Sequence, residues 1–392
     1  MQLRHILGVM AAALLIPGLS ACSQPSKQEV LEKEIAALME KNNAVGLAVV
    51  AVQNDSIVYN NSFGYKNLEN KTELKNGDLF RIASISKSFT ATAILQLVEQ
   101  GKIFLEGDVS DYLGFPVRNP QYPDIPITIR MLLSHASSLN DSEGYFNLNV
   151  INPDSSATWA GAYNNYEPGT KYEYCNLGYN TLGTILEKVS GERFDQYIVN
   201  HILKPLEVYG GYEVTSLDSA RFVTLYEYMP DSTFQASPNA YAKRTKEIEN
   251  YKFGYSTPVF SPTGGLKISA QDLAKVMMMH MNLGKAPKPG SSDSIQIIDR
   301  HSAELMQTRM IYPTDEGDAY GFAIRISDQL LPGYTMAGHT GSAYGVFTSM
   351  FWDKDRKFGF VVMTNGCNAQ RDHNFMTIHR DAAAALKRYI SE

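Results

Sequence analysis

Cysteine is scarce in this chain: Cys22, Cys175 and Cys367 are the only three among 392 residues. So few thiols exclude the dense disulfide framework that props up small secreted domains, and a hydrophobic core must carry the stability. The 44% hydrophobic content suffices for that, in one large domain or two to three ordinary ones. Positive charge is not in excess either. Lys and Arg number 35 against 41 Asp and Glu, a formal net charge of −6 with no block of one sign, which excludes the electrostatic footprint of a DNA- or RNA-binding protein. Internal repeats and low-complexity segments are absent, so the pattern is not that of a solenoid or a linker-rich array.

Long apolar runs are missing too, with one short exception near the N-terminus. Arg4 and His5 precede an apolar stretch over residues 6–15, followed by Pro17-Gly18 and Leu19-Ser20-Ala21-Cys22. The stretch is too short to span a bilayer comfortably. Its order of basic, apolar and small residues is that of a secretory signal, and Leu-Ser-Ala-Cys resembles the bacterial lipobox, whose cysteine becomes the lipidated first residue. We therefore expect residues 1–21 to be a lipoprotein signal, Cys22 the lipidation site and 22–28 a polar tether containing Pro25. The mature chain would be exported and held at the bacterial envelope by its lipid; a plain cleaved signal with an incidental Cys22 is the alternative. Cys175 and Cys367 are expected as two separate buried thiols; the alternative, a single disulfide between them, cannot be argued from spacing.

Residues 29–42 place Val30, Ile35, Leu38 and Met39 near helical spacing amid charges. A β-branched run over 46–52 and a second over 57–59, split by Asn54-Asp55, predict a hairpin. Apolar residues recur at three and four over 88–100, with Gly101 as a stop signal. Further helices are expected over 129–133, 178–189, 194–203 and 270–283, the last capped by Ser269. Strand signals return at 320–326, 346–352 and 358–364, and a final helix covers about 375–389. The simplest assembly is an α/β (α+β) fold. One antiparallel sheet, flanked by the two terminal helices, joins the late strands to the early hairpin, from residues 29–80 and 318–392; residues 81–317 form a mostly helical domain.

Ser84-Ile85-Ser86-Lys87 is a Ser-x-x-Lys tetrad at the start of a buried helix, and Lys87 is the only lysine with a serine three positions earlier. That spacing lets an amine reach a hydroxyl on one helix face, and the helix N-terminus favours the negative charge of acyl transfer. Gly338-His339-Thr340-Gly341-Ser342 adds a glycine that permits close backbone approach and a hydroxyl able to hold a carboxylate. No Gly-x-Ser-x-Gly elbow and no His-Glu-x-x-His pair occur, which argues against an α/β-hydrolase triad and a helical zinc site. His135 is expected to pack rather than ligate a metal.

Ser-x-x-Lys is the signature of serine β-lactamases and penicillin-binding proteins, and Gly338-His339-Thr340-Gly341 resembles their Lys-Thr-Gly element with His for Lys. Tyr-x-Asn, the third element of the class C branch, starts at Tyr59, Tyr65, Tyr145, Tyr163 and Tyr174. Only Tyr174-Cys175-Asn176 lies in an extended match, from Glu167-Pro168-Gly169-Thr170 to Val189-Ser190-Gly191. Residues 129–135, Gly264-Gly265-Leu266 and 361–365 also resemble the family, so the likeness runs over nearly the whole mature chain. It departs at Cys175, usually serine, and at Ser138, usually glycine.

The resemblance implies a β-lactamase/DD-peptidase-like fold with its active site between the two domains, and catalysis by Ser84, Lys87 and Tyr174. It implies an oxyanion hole from the N–H groups of Ser84 and Ser342, with Asn176, His339, Thr340 and Gly341 binding substrate. Neither metal nor organic cofactor is required. A Lys87 ammonium is expected to lower the phenol pKa of Tyr174 and make it a base. Three functions follow: a peptidase or esterase acting on small acyl or peptide substrates, peptidoglycan-derived ones included; a class C-like β-lactamase; or a non-catalytic envelope-binding protein. A neutral His339 tilts the balance toward the first. The aromatic segment 226–255 either lines the cleft or packs the domain.

Overall fold

The computed structural model describes residues 25–287, 293–312 and 318–391; the expected signal and Cys22 lie outside these residues. Strands β1 (Gly46–Gln53), β2 (Ser56–Asn67) and β3 (Thr72–Glu73) come early. Strands β4 (Ala319–Tyr320), β5 (Arg325–Ser327), β6 (Met336–Ala343), β7 (Val346–Asp353) and β8 (Phe358–Thr364) come late. They form one sheet in the order β4-β5-β6-β7-β8-β1-β2-β3. Every neighbouring pair is antiparallel. The β8–β1 pairing, with Val50 opposite Val361, closes the two ends of the chain onto each other.

β1 is buried on both faces, which explains its unbroken apolar run. Leu47, Val49 and Ala51 meet Leu31 and Ile35 of helix α1 (Lys27–Lys41) and Ile378, Ala382 and Leu386 of the C-terminal helix Thr377–Ser391. Ala48, Val50 and Val52 point the other way, into a larger core. That core holds helix α2 (Ser86–Glu99), helix α3 (Asn176–Ser190) and helix α4 (Ala270–Met281). α4 falls within the segment 81–317, yet it packs directly on β1, β7 and β8. The C-terminal helix is α5.

α2 is buried almost all round, so its hydroxyls need internal partners. Thr90 donates to the carbonyl of Pro262 at 2.8 Å and Thr92 to that of Ser88 at 2.8 Å. Ser269 caps α4 by accepting from the Asp272 N–H, as its sequence position predicts.

Two expectations change. Residues 320–326 are not one strand but a hairpin, with Tyr320 opposite Arg325. The apolar residues Phe322, Ala323 and Ile324 are buried in its turn rather than along a strand, which hides the turn from any hydropathy pattern. The final helix starts at Thr377, because Phe375–Met376 pairs with Arg371–Asp372 as a small ribbon. Cys175 and Cys367 are both buried free thiols.

Candidate active site

Ser84 lies in a single 3-10 turn, Ala83–Ile85, that feeds directly into α2. The chain enters it through Ala83 at φ 47°, a left-handed conformation unusual for a residue with a Cβ. The turn is held from the sheet side. The Thr348 hydroxyl of β7 donates to the Ile82 carbonyl at 3.0 Å, and β6 lies against the same turn at Gly341. A Cβ on Gly341 would come within 2.2 Å of the Ile82 oxygen and 2.4 Å of Thr348 Oγ1. The absent side chain of Gly341 thus makes room for the protein's own backbone at Ile82.

Beyond Gly338, β6 has outrun β5 and pairs only with β7, so its far edge from His339 to Ala343 carries no strand among the described residues. Ser342 is exposed there and Thr340 half-buried. A free strand edge beside a half-buried serine is a place where an extended substrate can add its own backbone.

Lys87, one helical turn after Ser84, has no solvent exposure. Its Nζ lies 3.1 Å from Ser84 Oγ, 2.8 Å from Asn176 Oδ1 and 2.9 Å from the Thr263 carbonyl. Burial pulls the amine pKa down to about 7, against an upward pull from Asp141. In its neutral form the amine has two N–H groups and one lone pair. The N–H groups match the Asn176 and Thr263 oxygens, which leaves the lone pair on the Ser84 hydroxyl.

Asn176 Oδ1 accepts from Lys87 and also from the Thr263 hydroxyl at 2.6 Å, while Nδ2 donates to Asp141 at 2.8 Å. Only its second amide hydrogen remains for a substrate, so the residue chiefly positions the lysine. Asp141 and Thr263 carry no motif and went unseen in the sequence. Asp141 accepts from the N–H groups of Asn176 and Leu177 at 3.0 and 2.9 Å, supplying the N-terminal cap of α3 that Cys175 does not.

Tyr174 brings its ring centroid 4.7 Å from Lys87 Nζ and stacks on His135 at 4.4 Å. Burial raises its phenol pKa, only partly offset by its hydrogen bond with Ser84. The two shifts run against the expected tyrosinate: burial lowers the Lys87 amine and raises the Tyr174 phenol, which favours a neutral hydroxyl at Tyr174. His135 packs as expected, its Nδ1 accepting from the Cys175 N–H at 3.1 Å.

His339 is buried, and burial followed by the Lys87 charge lowers its pKa to about 3. Nδ1 faces the Thr340 carbonyl at 2.5 Å and must donate to it. Nε2 is then an acceptor, so the ring offers no donor to a substrate carboxylate.

The segment 226–255 serves both purposes. Tyr241 donates to the Leu79 carbonyl at 3.3 Å and stacks on Phe222, and Tyr251 donates to Glu187. These rings pack, whereas Asn239, Lys243, Arg244 and Tyr255 line, together with Arg81 and Tyr344, a cavity of about 510 Å³.

The profile of the Beta-lactamase family matches residues 31–385. The chain belongs to the Beta-lactamase family. Among curated members of related sequence, Protein flp of Staphylococcus aureus (strain N315) is 27% identical over 351 residues, covering 86% of this chain and 63% of that protein. The chain thus spans less than two thirds of that relative's length. A penicillin-binding protein of Bacillus subtilis (strain 168) is 35% identical over 189 residues, 46% of this chain and 40% of that protein. An octameric penicillin-binding protein homologue from Pyrococcus abyssi superposes with a TM-score of 0.71 at 26% identity, over 92% of this chain and 77% of that one. The antiparallel sheet with flanking helices is the Beta-lactamase family fold.

Proposed function

We propose that this Beta-lactamase family member is a serine hydrolase that cleaves small amide or ester substrates through an acyl-enzyme on Ser84. The observation that carries this is the fully buried Lys87 amine, near neutrality at pH 7 and 3.1 Å from the half-buried serine hydroxyl. Ser84 Oγ attacks the carbonyl carbon as its proton passes to neutral Lys87. The N–H groups of Ser84 and Ser342 receive the oxyanion. Collapse expels the leaving group, which takes its proton from the Lys87 ammonium, with the Tyr174 hydroxyl passing it on. Water then attacks the ester, giving its proton to Lys87, which passes it to Ser84 Oγ as the acid product departs.

An esterase, or a peptidase whose substrate has no carboxylate beside the scissile bond, suits the site better than a β-lactamase, because His339 presents no positive charge for a substrate carboxylate. The lipobox-like Leu19-Ser20-Ala21-Cys22 supports export and anchoring through Cys22, with peptidoglycan-derived material as the nearby substrate source. No helix among the described residues is long and apolar enough to cross a membrane, so the lipid would be the attachment.

Intact-mass spectrometry of the signal-less protein with a penicillin, a D-Ala-D-Ala peptide and a p-nitrophenyl ester tests this. The expected result is ester or peptide turnover and a long-lived penicillin adduct on Ser84. Rapid penicillin turnover would favour a β-lactamase, and no adduct or turnover with any of the three a binding protein.

A further inference from the structure

The cavity that Arg81 lines adjoins the nucleophile's turn. Arg81 lies three residues before Ser84, Gly265 follows the glycine whose missing Cβ would sit 3.6 Å from the Ala83 carbonyl carbon, and Tyr344 lies two residues after Ser342. Its charged lining is Arg81, Lys243, Arg244, Lys267, Glu213 and Glu247. The two carboxylates are already engaged: Glu213 pairs with Arg193 at 2.7 Å and Glu247 with Arg244 at 3.4 Å.

The two inner basic side chains, Arg81 and Lys267, have only neutral acceptors. Arg81 donates to the carbonyls of Gly264 and Ala240 at 3.0 and 3.1 Å and lies over the Tyr344 ring at 5.0 Å. Lys267 is 4% exposed and donates to the Tyr212 carbonyl at 2.5 Å. Burying cations without a counter-charge is costly, and a cavity lined by them favours an anion. The amine of Lys267 is pushed well below its ordinary pKa, first by burial and then by the charges of Arg81 and Arg244, so the positive charge of this lining rests on Arg81, Lys243 and Arg244. Exposed Lys243 continues that sign toward the rim, where Phe146 and Tyr255 present partly exposed rings.

We infer that this cavity receives the acyl portion of the substrate, and that the preferred acyl group ends in a carboxylate carried on an apolar stem. The acyl side is assigned because Lys87 and Tyr174, which must protonate the leaving group, line no part of the cavity. The rim aromatics suit the stem, and Arg81 and Lys243 the terminal charge. This inference rests on the acyl-enzyme reading above.

The test compares kcat/KM for the p-nitrophenyl monoesters of succinic, adipic and suberic acids with that for p-nitrophenyl hexanoate. At least one monoester is expected to exceed the hexanoate by about tenfold, the scale of one charge-assisted hydrogen bond. Arg81→Gln and Lys243→Glu should each pull that ratio toward one, whatever the absolute rate, so a partly folded variant still reports. Hexanoate turnover without carboxylate preference in the wild type, or a preference untouched by both substitutions, would overturn the inference while leaving the hydrolase reading intact. Failure of every ester to acylate Ser84 would instead overturn the hydrolase reading.

Discussion

Asp141 accepts both the backbone N–H and the side-chain Nδ2 of Asn176, at 3.0 and 2.8 Å, and so ties the N-terminus of α3 to the residue that holds Lys87. One carboxylate serves the helix and the active site together.

Asp141→Asn removes the negative charge that holds the Lys87 pKa up, so that pKa should fall below about 7. The acidic limb of the kcat/KM profile should then move to lower pH, with a loss of roughly 1 kcal/mol of stability from the weakened cap. Hydrolysis measured across pH, together with thermal melts, checks both; an unmoved limb in a folded variant would mean that the charge is not felt at the lysine.

Tyr174→Phe separates a neutral phenol from a base. A neutral proton relay predicts kcat lower by roughly 100-fold, with the acidic limb still set by Lys87. If the limb vanished with the hydroxyl, the phenol would be the titrating base after all.

Gly341→Ala inserts a methyl group against the Ile82 carbonyl and Thr348 hydroxyl, neither of which can yield without moving the Ser84 turn. Overpacking of this kind costs about 1–3 kcal/mol, and displacement of the nucleophile should reduce acylation further. A variant with wild-type melting and wild-type labelling of Ser84 would show that β6 does not brace the turn.

Much of the fold is legible because periodicity reports burial. The double-sided burial of β1 and the three-four spacing of α2 each leave a mark in the sequence, and the tetrad at Ser84 stands in a recognisable place on that helix. Other features leave no such mark. Asp141 and Thr263 reach Lys87 from distant positions through contacts that only the folded chain creates. The protonation states of Lys87 and Tyr174 follow from how deeply each is buried, which no spacing reveals. The hairpin over Ala319–Ser327 was hidden because its turn is apolar and internal.

Acid stability should fall before the carboxylates titrate. His280 is fully buried beside Trp352, with neither ring nitrogen bonded, and burial lowers its pKa from 6.5 to about 4. Above pH 6.5 it is neutral in both folded and unfolded chains. As pH drops from 6.5 toward 4 the unfolded chain gains a proton that the folded one refuses, so stability declines across that window, by on the order of 3 kcal/mol at its lower end. Denaturant titrations at pH 7 and pH 4.5 should show the decline, and His280→Gln, if it folds, should reduce it; equal wild-type stability at the two pH values would contradict the assignment.

The central claim concerns Lys87 as the base for Ser84, and the rate of Ser84 phosphonylation by a fluorophosphonate, followed by intact mass across pH, tests it most directly. The wild-type rate should rise with a midpoint near pH 7, and Lys87→Met should label no faster than Ser84→Ala. A pH-independent wild-type rate, or a Lys87→Met protein labelled as fast as wild type, would contradict it.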